Sequence, residues 1–539
     1  MDTTKLYMKQ NIQVEPLINQ WYAWIHLVPP ATAALNIVNR HLTLMTSYVN
    51  SPMMHAAAVK NPEMRGGPFI DLDGKRVAEV KALLQETKAK SQLLQEFAKG
   101  VKELNQLLKS KAKGFSMEAL YGEVPEILRG YVELCYDMNH NPSFRFFEAL
   151  LYKSPFYRPD FQGIALSPIV TDGDRPFILS TPRLEDANVL HLPIPFAHPG
   201  VDELFKMKKV PQTFDYILDK MGEAITDESL FRSFFTEEAP PAYEKYEGDS
   251  IRIRYFGHAC ILVETKEVSL LIDPVLSYTY ESDISRYTYQ DLPDTIDYVL
   301  ITHGHQDHIL LETMLQIRHK VKNIIIPRNA DGYLPDPSLQ LALQQLGFKN
   351  TIIELRDLQE VPIPGGKITG IPFLGEHHDL AVQSKTCYLI ELDGRTILSV
   401  ADSCNQEPKL YEKVYEVIGD VDVLFLGMEC DGAPASWVYG PLFPEPLERE
   451  ADRSRRGRGC NYKEGMDLLD RFHCKEVYVY AMGNEPWLRY MLDVVYTDES
   501  NPIVQSNKLL KECQTKGVMA ERLFGEKELM VGVQLAVNS

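Results

Sequence analysis

Three histidines and an aspartate fall within six residues in the run Thr302-His303-Gly304-His305-Gln306-Asp307-His308. Imidazoles and carboxylates at this density are ligand types for transition-metal ions, and without an ion they would make poor loop chemistry. In extended backbone alternate side chains share a side, so His303 and His305 can reach one ion together. Asp307 and His308, where the chain turns into a helix expected from about Ile309, can serve a second ion. Gly304 lets the backbone make the turn. The plainer alternative is a surface histidine cluster. The apolar strand IDYVLIT before the run and the helical pattern after it argue against that.

The elements that must position this loop begin near Ile251. IRIRYFGHACILVET alternates and then becomes continuously apolar, as strands do, and VSLLIDP is a second strand ending at Asp273-Pro274. IDYVLIT is a third, and NIIIP, TCYLIEL, RTILSV, DVLFLG and EVYVYAM continue the series. Short β-branched strands mixed with helices imply a layered α/β domain.

The first part of the chain reads differently. Between Arg76 and Lys109 apolar residues recur at spacings near three and four, predicting helix, with Gly100 as a point of division into two. Aromatics crowd Glu133 to Tyr157 and read as core, and frequent prolines from Ser167 to Pro199 predict extended segments and turns. No repeat and no catalytic motif occurs here. The acidic run TEEAPPAYEKYEGDS (236–250) has no apolar period and places a boundary that gives domains 1–245 and 246–539.

A chain of 539 residues is too long for one ordinary core. Its formal net charge of −19 argues against a broad nucleic-acid face, because such a chain repels phosphates. The one local basic run is Arg453, Arg455, Arg456 and Arg458, which could meet an acidic partner or be a solvated loop. No stretch approaches the ~20 apolar residues needed to cross a membrane, and the N-terminus has no basic segment followed by an apolar run. Eight scattered cysteines without a CxxC pair then read as reduced packing residues of a cytoplasmic protein.

THGHQDH after a buried strand resembles the signature of the metallo-β-lactamase superfamily, and FGHACILVE and LLIDP agree with it. The resemblance covers about residues 250–535. It implies an α/β fold: a C-terminal αββα sandwich around a dinuclear metal site, preceded by a large mixed helical/irregular N-terminal domain. It also implies that Asp273 supports the loop instead of binding metal, and that His258 stands behind the ligands. A buried structural histidine is an equal reading of His258.

Members of that superfamily usually present the next ligand as a histidine directly after a glycine. Here the place reads Phe373-Leu374-Gly375-Glu376-His377-His378-Asp379-Leu380, and the residue after the glycine is Glu376. A later bridging aspartate is matched by Asp402 in ILSVADS, whereas the place of a late histidine holds Met482 and His473 lies before the strand. The implied set is His303, His305, Asp307, His308, Glu376 and Asp402. Zinc sites of this fold are richer in nitrogen; carboxylate enrichment favours harder, redox-active iron or manganese. A shift of one residue would put His377 in the usual role and restore a hydrolase site; the glycine fixes the register on Glu376.

These departures resemble the diiron β-hydroxylases that tailor amino acids in nonribosomal peptide (antibiotic) biosynthesis. The shared features are overall length, a large first domain, HxHxDH, the GEHxDL glutamate and the bridging aspartate. The resemblance implies a monooxygenase with two Fe ions and O2 as co-substrate. It would place a hydroxyl on Cβ of an amino acid thioesterified to a peptidyl carrier domain, with electrons from an external donor. A homodimer is implied, the N-terminal domain supporting dimerisation and carrier recognition. His303, His305 and Glu376 would hold one iron, Asp307 and His308 the other, and Asp402 would bridge, with no separate acid or base. The rivals are a dizinc hydrolase of a thioester, lactone or phosphodiester, in which metal-bound hydroxide attacks, and a metal-bearing scaffold without turnover. Trp437, Tyr439, Trp487 and Tyr490 could line a substrate channel, although core is the commoner role for such residues.

Overall fold

The computed structural model describes residues 3–173 and 175–532. Beyond residue 250 the apolar runs pair into two seven-stranded sheets. In one the order is 351–355, 321–327, 296–300, 269–272, 260–264, 251–257, 527–531; in the other it is 360–363, 366–371, 387–392, 395–399, 423–427, 476–480, 519–522. The period-two alternation decides what each sheet faces. Ile253, Ile261, Val263, Leu270 and Ile272 of the first sheet meet Ile368, Tyr388, Ile390, Ile397, Val423 and Phe425 of the second in one core. Residues between them point outward. Leu389, Leu398, Leu424, Leu426, Val477 and Val479 pack with the helices Pro408–Ile418, Tyr462–Arg471 and Asn501–Lys516.

The outer face of the first sheet is covered jointly by its own helices, Leu311–Ile317 and Leu339–Gln345, and by the N-terminal region. Leu262, Leu271, Val299, Ile324 and Ile326 share a core with Met314, Leu343, Trp24, Phe205 and Phe234. This is the αββα layering the sequence resemblance implies, with one outer layer thickened by the first half of the chain.

Among the described residues the N-terminal region adds three small sheets to its helices, of which the four-stranded one (order 21–22, 12–18, 162–168, 190–192) is the largest. The aromatics Phe144, Phe146, Tyr152 and Phe156 are core, as expected, whereas Phe147 is exposed. The expected helical break falls elsewhere: the helices are Val77–Lys90 and Gln92–Lys111, divided at Ser91 and not at Gly100. The Ser91 and Thr87 hydroxyls both bond back to carbonyls four residues earlier (2.6 and 2.7 Å), a pattern that bends helices. Gly100 instead makes room, since a Cβ there would lie 2.7 Å from Ile127 Cγ2. Among the described residues no helix is long and apolar enough to cross a membrane. All eight cysteines are free.

A buried ion network ties the first half to the helix that follows the histidine loop. Arg175 lies 2.6 Å from Glu312 and 2.8 Å from Glu15, Arg183 lies 2.7 Å from Glu15, and all four side chains are under a tenth exposed. Tyr22 donates to Glu312 (2.7 Å), Tyr278 donates to its other oxygen, and Arg175 lies over the Tyr490 ring at 3.4 Å. Burial works against the Glu15 charge, but Arg183 and Arg175 outweigh it and hold its pKa at about 2. Glu312 sits in the first turn of Leu311–Ile317, so the network fixes the start of the helix that leads away from His308.

Arg175→Met should therefore cost about 3–5 kcal/mol in denaturant unfolding, because it leaves two buried carboxylates short of a partner. The stability that Glu15 contributes is present above its unfolded value of 4.5 and is lost as pH falls toward 2. In the variant the Glu15 pKa rises, so acid unfolding should begin at higher pH; an unshifted acid limb would contradict the network's role.

Candidate metal centre

The candidate ligands come from loops that leave the C-terminal ends of strands in both sheets. Ile296–Leu300 leads to His303–His308, Gly366–Ile371 to Glu376 and Arg395–Ser399 to Asp402, and Val423–Gly427 leads to a further carboxylate outside that set, Glu429. The strands before His303, Asp402 and Glu429 belong to the parallel parts of their sheets and end on one edge, the usual site of ligands in α/β sheets. Gly366–Ile371, antiparallel to both its neighbours, runs in the same direction as Arg395–Ser399.

The structure brings all six expected ligands together. His303, His308 and Asp402 have ligand atoms within 4.8 Å of one another, as do His258, Asp307 and His308, and as do His303, His305 and His377. Asp402 Oδ2 stands 2.9 Å from His308 Nε2 and 3.8 Å from His303 Nε2, between the two rings. Glu376 Oε1 is 3.1 Å from His305 Nδ1. His377 stacks on His305 with ring centroids 4.5 Å apart, so both neighbours, Glu376 and His377, face the loop.

Asp273 does not reach the cluster centre; it organises it. Its carboxylate accepts from the Thr302 backbone N–H (2.7 Å), the Thr302 hydroxyl (2.6 Å) and His308 Nδ1 (2.8 Å). Because the Thr302 proton goes to Asp273, its oxygen accepts from His303 Nδ1 at 3.0 Å. One aspartate and one threonine thus hold the Nδ1 sides of His303 and His308 and leave both Nε2 atoms aimed inward. His258 works similarly: Gly483 N–H donates to its Nδ1 (3.2 Å), so Nε2 carries the proton and donates to Asp307 Oδ2 (3.1 Å). Met482, at the expected place of a late histidine, is buried, and His473 is exposed and paired with Asp420.

The Glu376 loop is strained. Gly375, Glu376, His378 and Asp379 all have positive φ (86°, 65°, 55° and 58°), a conformation costing the non-glycine residues of order 1 kcal/mol each. A Cβ on Gly375 would lie 2.2 Å from Cys404 Sγ, so only glycine fits there. Lys385 Nζ donates to Gly375 O (2.9 Å) and Arg455 Nε to His378 O (2.9 Å), while His378 Nδ1 reaches Arg455 O at 2.7 Å. The arginine run is largely structural: Arg456 donates to Gly432 O (2.6 Å), Arg458 lies 2.8 Å from Glu464, and Arg453 is exposed.

Electrostatics test whether these residues suit metal. Burial, then Asp402 and Asp307, push the Glu376 carboxyl well above the carboxylate range. Burial and neighbouring imidazoles push His303 and His377 well below theirs and His305 to about 4, whereas Asp402, Asp273 and Asp307 outweigh burial and raise His308 well above its usual value. His303 Nε2, His308 Nε2, Glu376 Oε2, His377 Nδ1 and Asp402 Oδ1 are buried without a hydrogen-bond partner. Each such atom costs about 1–3 kcal/mol, and together they would rival the stability of a whole domain. Converging unsatisfied lone pairs and carboxylates fit a pair of cations.

Sequence reasoning missed three contributors. Tyr439, read only as channel or core, is buried with its hydroxyl 3.3 Å from His305 Nε2, and so can orient that ring. Lys385 braces the strained loop. Glu429 is a further carboxylate beside the cluster; burial, then Glu376, Asp402 and Asp307, raise its pKa well above the usual range. Its one sequence signal was its place just past the strand DVLFLG. Trp487 and Tyr490 are core, and Trp437 packs against Gly66.

Comparison with known proteins gives two family matches: a diiron non-heme β-hydroxylase N-terminal domain over residues 7–240 and a β-lactamase superfamily domain over residues 252–432. The chain is 40% identical, over 97% of its length and 99% of the relative's, to a Streptomyces venezuelae enzyme. That enzyme is the 3-hydroxylase of 4-amino-L-phenylalanyl carried on the CmlP peptidyl carrier protein. The crystal structure of CmlA, a diiron β-hydroxylase of the same organism, superposes with a TM-score of 0.91 at 37% identity, covering 98% of this chain and 100% of that one. A metal-dependent hydrolase of Rhizobium johnstonii is 36% identical over 59 residues, 11% of this chain and 24% of that protein.

Two substitutions separate the roles. Glu376→Ala should lower bound metal per chain, and unchanged metal content would remove it from the ligand set. Asp273→Ala should weaken metal affinity by about 10- to 100-fold in a chelator competition, since it frees both rings; undiminished affinity would show that Asp273 does not organise the rings.

Proposed function

The chain belongs to the family of diiron non-heme β-hydroxylases, and on that premise we propose that it hydroxylates Cβ of an amino acid held as a thioester on a peptidyl carrier domain. Family membership makes it an O2-dependent monooxygenase with two iron ions. The observation that carries the reading to this chain is the cluster of carboxylates and imidazoles whose inward atoms have no partner. The named carrier substrate of the Streptomyces venezuelae relative supports the substrate class.

His303, His305 and Glu376 would hold one iron and Asp307 and His308 the other. The position of Asp402 Oδ2 near both His303 and His308 supports it as the bridge. When bound, the iron pair supplies the two-electron activation of O2. Overall, one oxygen atom enters the Cβ–H bond as hydroxyl; the other leaves as water with two protons and two electrons from an external donor. The protein's own part is orientation and dryness. Asp273 and Thr302 set two imidazoles, His258 holds Asp307, Tyr439 stands behind His305, and burial excludes bulk water. No side chain is needed as a separate acid or base.

Residues 246–539 would carry the metals, and residues 1–245 would serve carrier recognition and a homodimer. The two family matches, one ending at residue 240 and the other beginning at residue 252, support that division. His377, beside His303 and His305, is the feature a dizinc hydrolase reading draws on. The hydroxylase is the stronger reading because the full-length similarity is to a hydroxylase.

Isotope labelling tests the reaction. Iron-loaded enzyme, reductant and aminoacyl carrier under 18O2 should give a carrier-bound product containing one 18O at Cβ. Release of free amino acid without oxygen uptake would contradict the reading and favour thioester hydrolysis.

A further inference from the structure

Glu429 is a carboxylate for which the reaction above has no use. It lies two residues beyond Gly427, the last residue of Val423–Gly427. A Cβ on Gly427 would meet Asp402 Oδ1 at 3.2 Å, so that face of the strand looks onto the metal cluster. The next segment to pass is Gly457-Arg458-Gly459. Gly459 N–H bonds to Glu429 O (2.7 Å), and a Cβ on Gly457 would lie 2.7 Å from Glu376 Oε1. Two glycines therefore let one strip of backbone run between Glu376 and Glu429 at close approach.

Glu429 differs from the ligands in its surroundings. Glu376, Asp307 and Asp402 each have an oxygen 2.9–3.1 Å from an imidazole nitrogen. Among the described residues, no Lys, Arg or His nitrogen comes within 4.0 Å of the Glu429 carboxylate, and its oxygens make no hydrogen bond. Glu429 is half-buried, and its carboxylate keeps contact with solvent. Its electrostatic neighbours are the three acidic ligands, which two metal ions would neutralise, and His308, which works the other way but is itself paired with Asp402 and Asp273. Among the described residues no cation contacts Glu429 itself. A half-buried carboxylate without a partner is costly unless a cation arrives with the ligand.

A carrier-bound amino acid brings such a cation. Its α-ammonium group is attached to Cα, one carbon from the carbon to be hydroxylated. We propose that Glu429 receives the α-ammonium group of the aminoacyl thioester and thereby sets the position of Cβ against the metal pair. This rests on the hydroxylase reading. It makes Glu429 a residue that selects an aminoacyl over an acyl group, whatever the amino acid side chain.

The test measures binding, without O2, of the iron-loaded enzyme to two carriers: one bearing the aminoacyl group and one bearing the same acyl group without its amino nitrogen. The native enzyme should prefer the aminoacyl carrier by about 10- to 100-fold, the range of a charged hydrogen bond. Glu429→Gln should bring that preference close to one while keeping its iron, and Glu429→Asp should restore part of it. Loss of iron in Glu429→Gln would make Glu429 a ligand and overturn the proposal. So would an undiminished preference in the variant, or a native enzyme that binds both carriers equally. A native enzyme that binds neither carrier and forms no 18O product would instead bring down the hydroxylase reading beneath it, and the proposal with it.

Discussion

Three carboxylates and four imidazoles facing one another in a largely dry place call for multivalent cations to join them. Burial pushes Glu376 toward its protonated form and His303, His305 and His377 toward neutrality, whereas Asp402, Asp273 and Asp307 push His308 toward its charged form. The first four respond as groups short of solvent and counter-charge. Ion pairing inside the set does not remove the problem, because His303 Nε2, Glu376 Oε2 and Asp402 Oδ1 remain without a hydrogen-bond partner. The rest of the site consists of devices that hold this unfavourable gathering in place until metal binds.

Those devices come from both sheets and from the N-terminal region. Asp273, at the end of one strand, and Thr302, past the end of its neighbour, share one proton path that sets two rings. Lys385 and Arg455 brace a loop whose positive φ values would not persist alone. The Arg175–Glu312 network anchors the helix after His308 to the first half of the chain. The N-terminal region is thus part of the scaffold of the metal centre, in addition to any part in recognising a carrier.

The chemistry was legible in sequence where it was local. HxHxDH is contiguous, follows an obvious strand, and needs no long-range information. Asp402 and Asp273 were legible because each ends an apolar strand in the order of a known fold. Glu376 could be chosen over His377 only by the glycine before it, and the structure turns both toward the loop. Tyr439, Lys385 and Glu429 were not legible as site residues, because packing of separate loops brings them there. The N-terminal strands escaped notice for a related reason. IQVEPLI (12–18) hides a charged residue and a proline in its pattern, and Glu15 is buried only because Arg175 and Arg183, some 160 positions later, meet it. Gly100 misled in the opposite direction, since its missing side chain serves helix packing and not a helix end.

The most direct measurement is elemental mass spectrometry of the purified chain, produced with iron and zinc both supplied. The account predicts close to two irons per chain and little zinc, because a carboxylate-rich donor set favours the harder, redox-active ion. Close to two zincs, with iron neither present nor able to displace them, would contradict it.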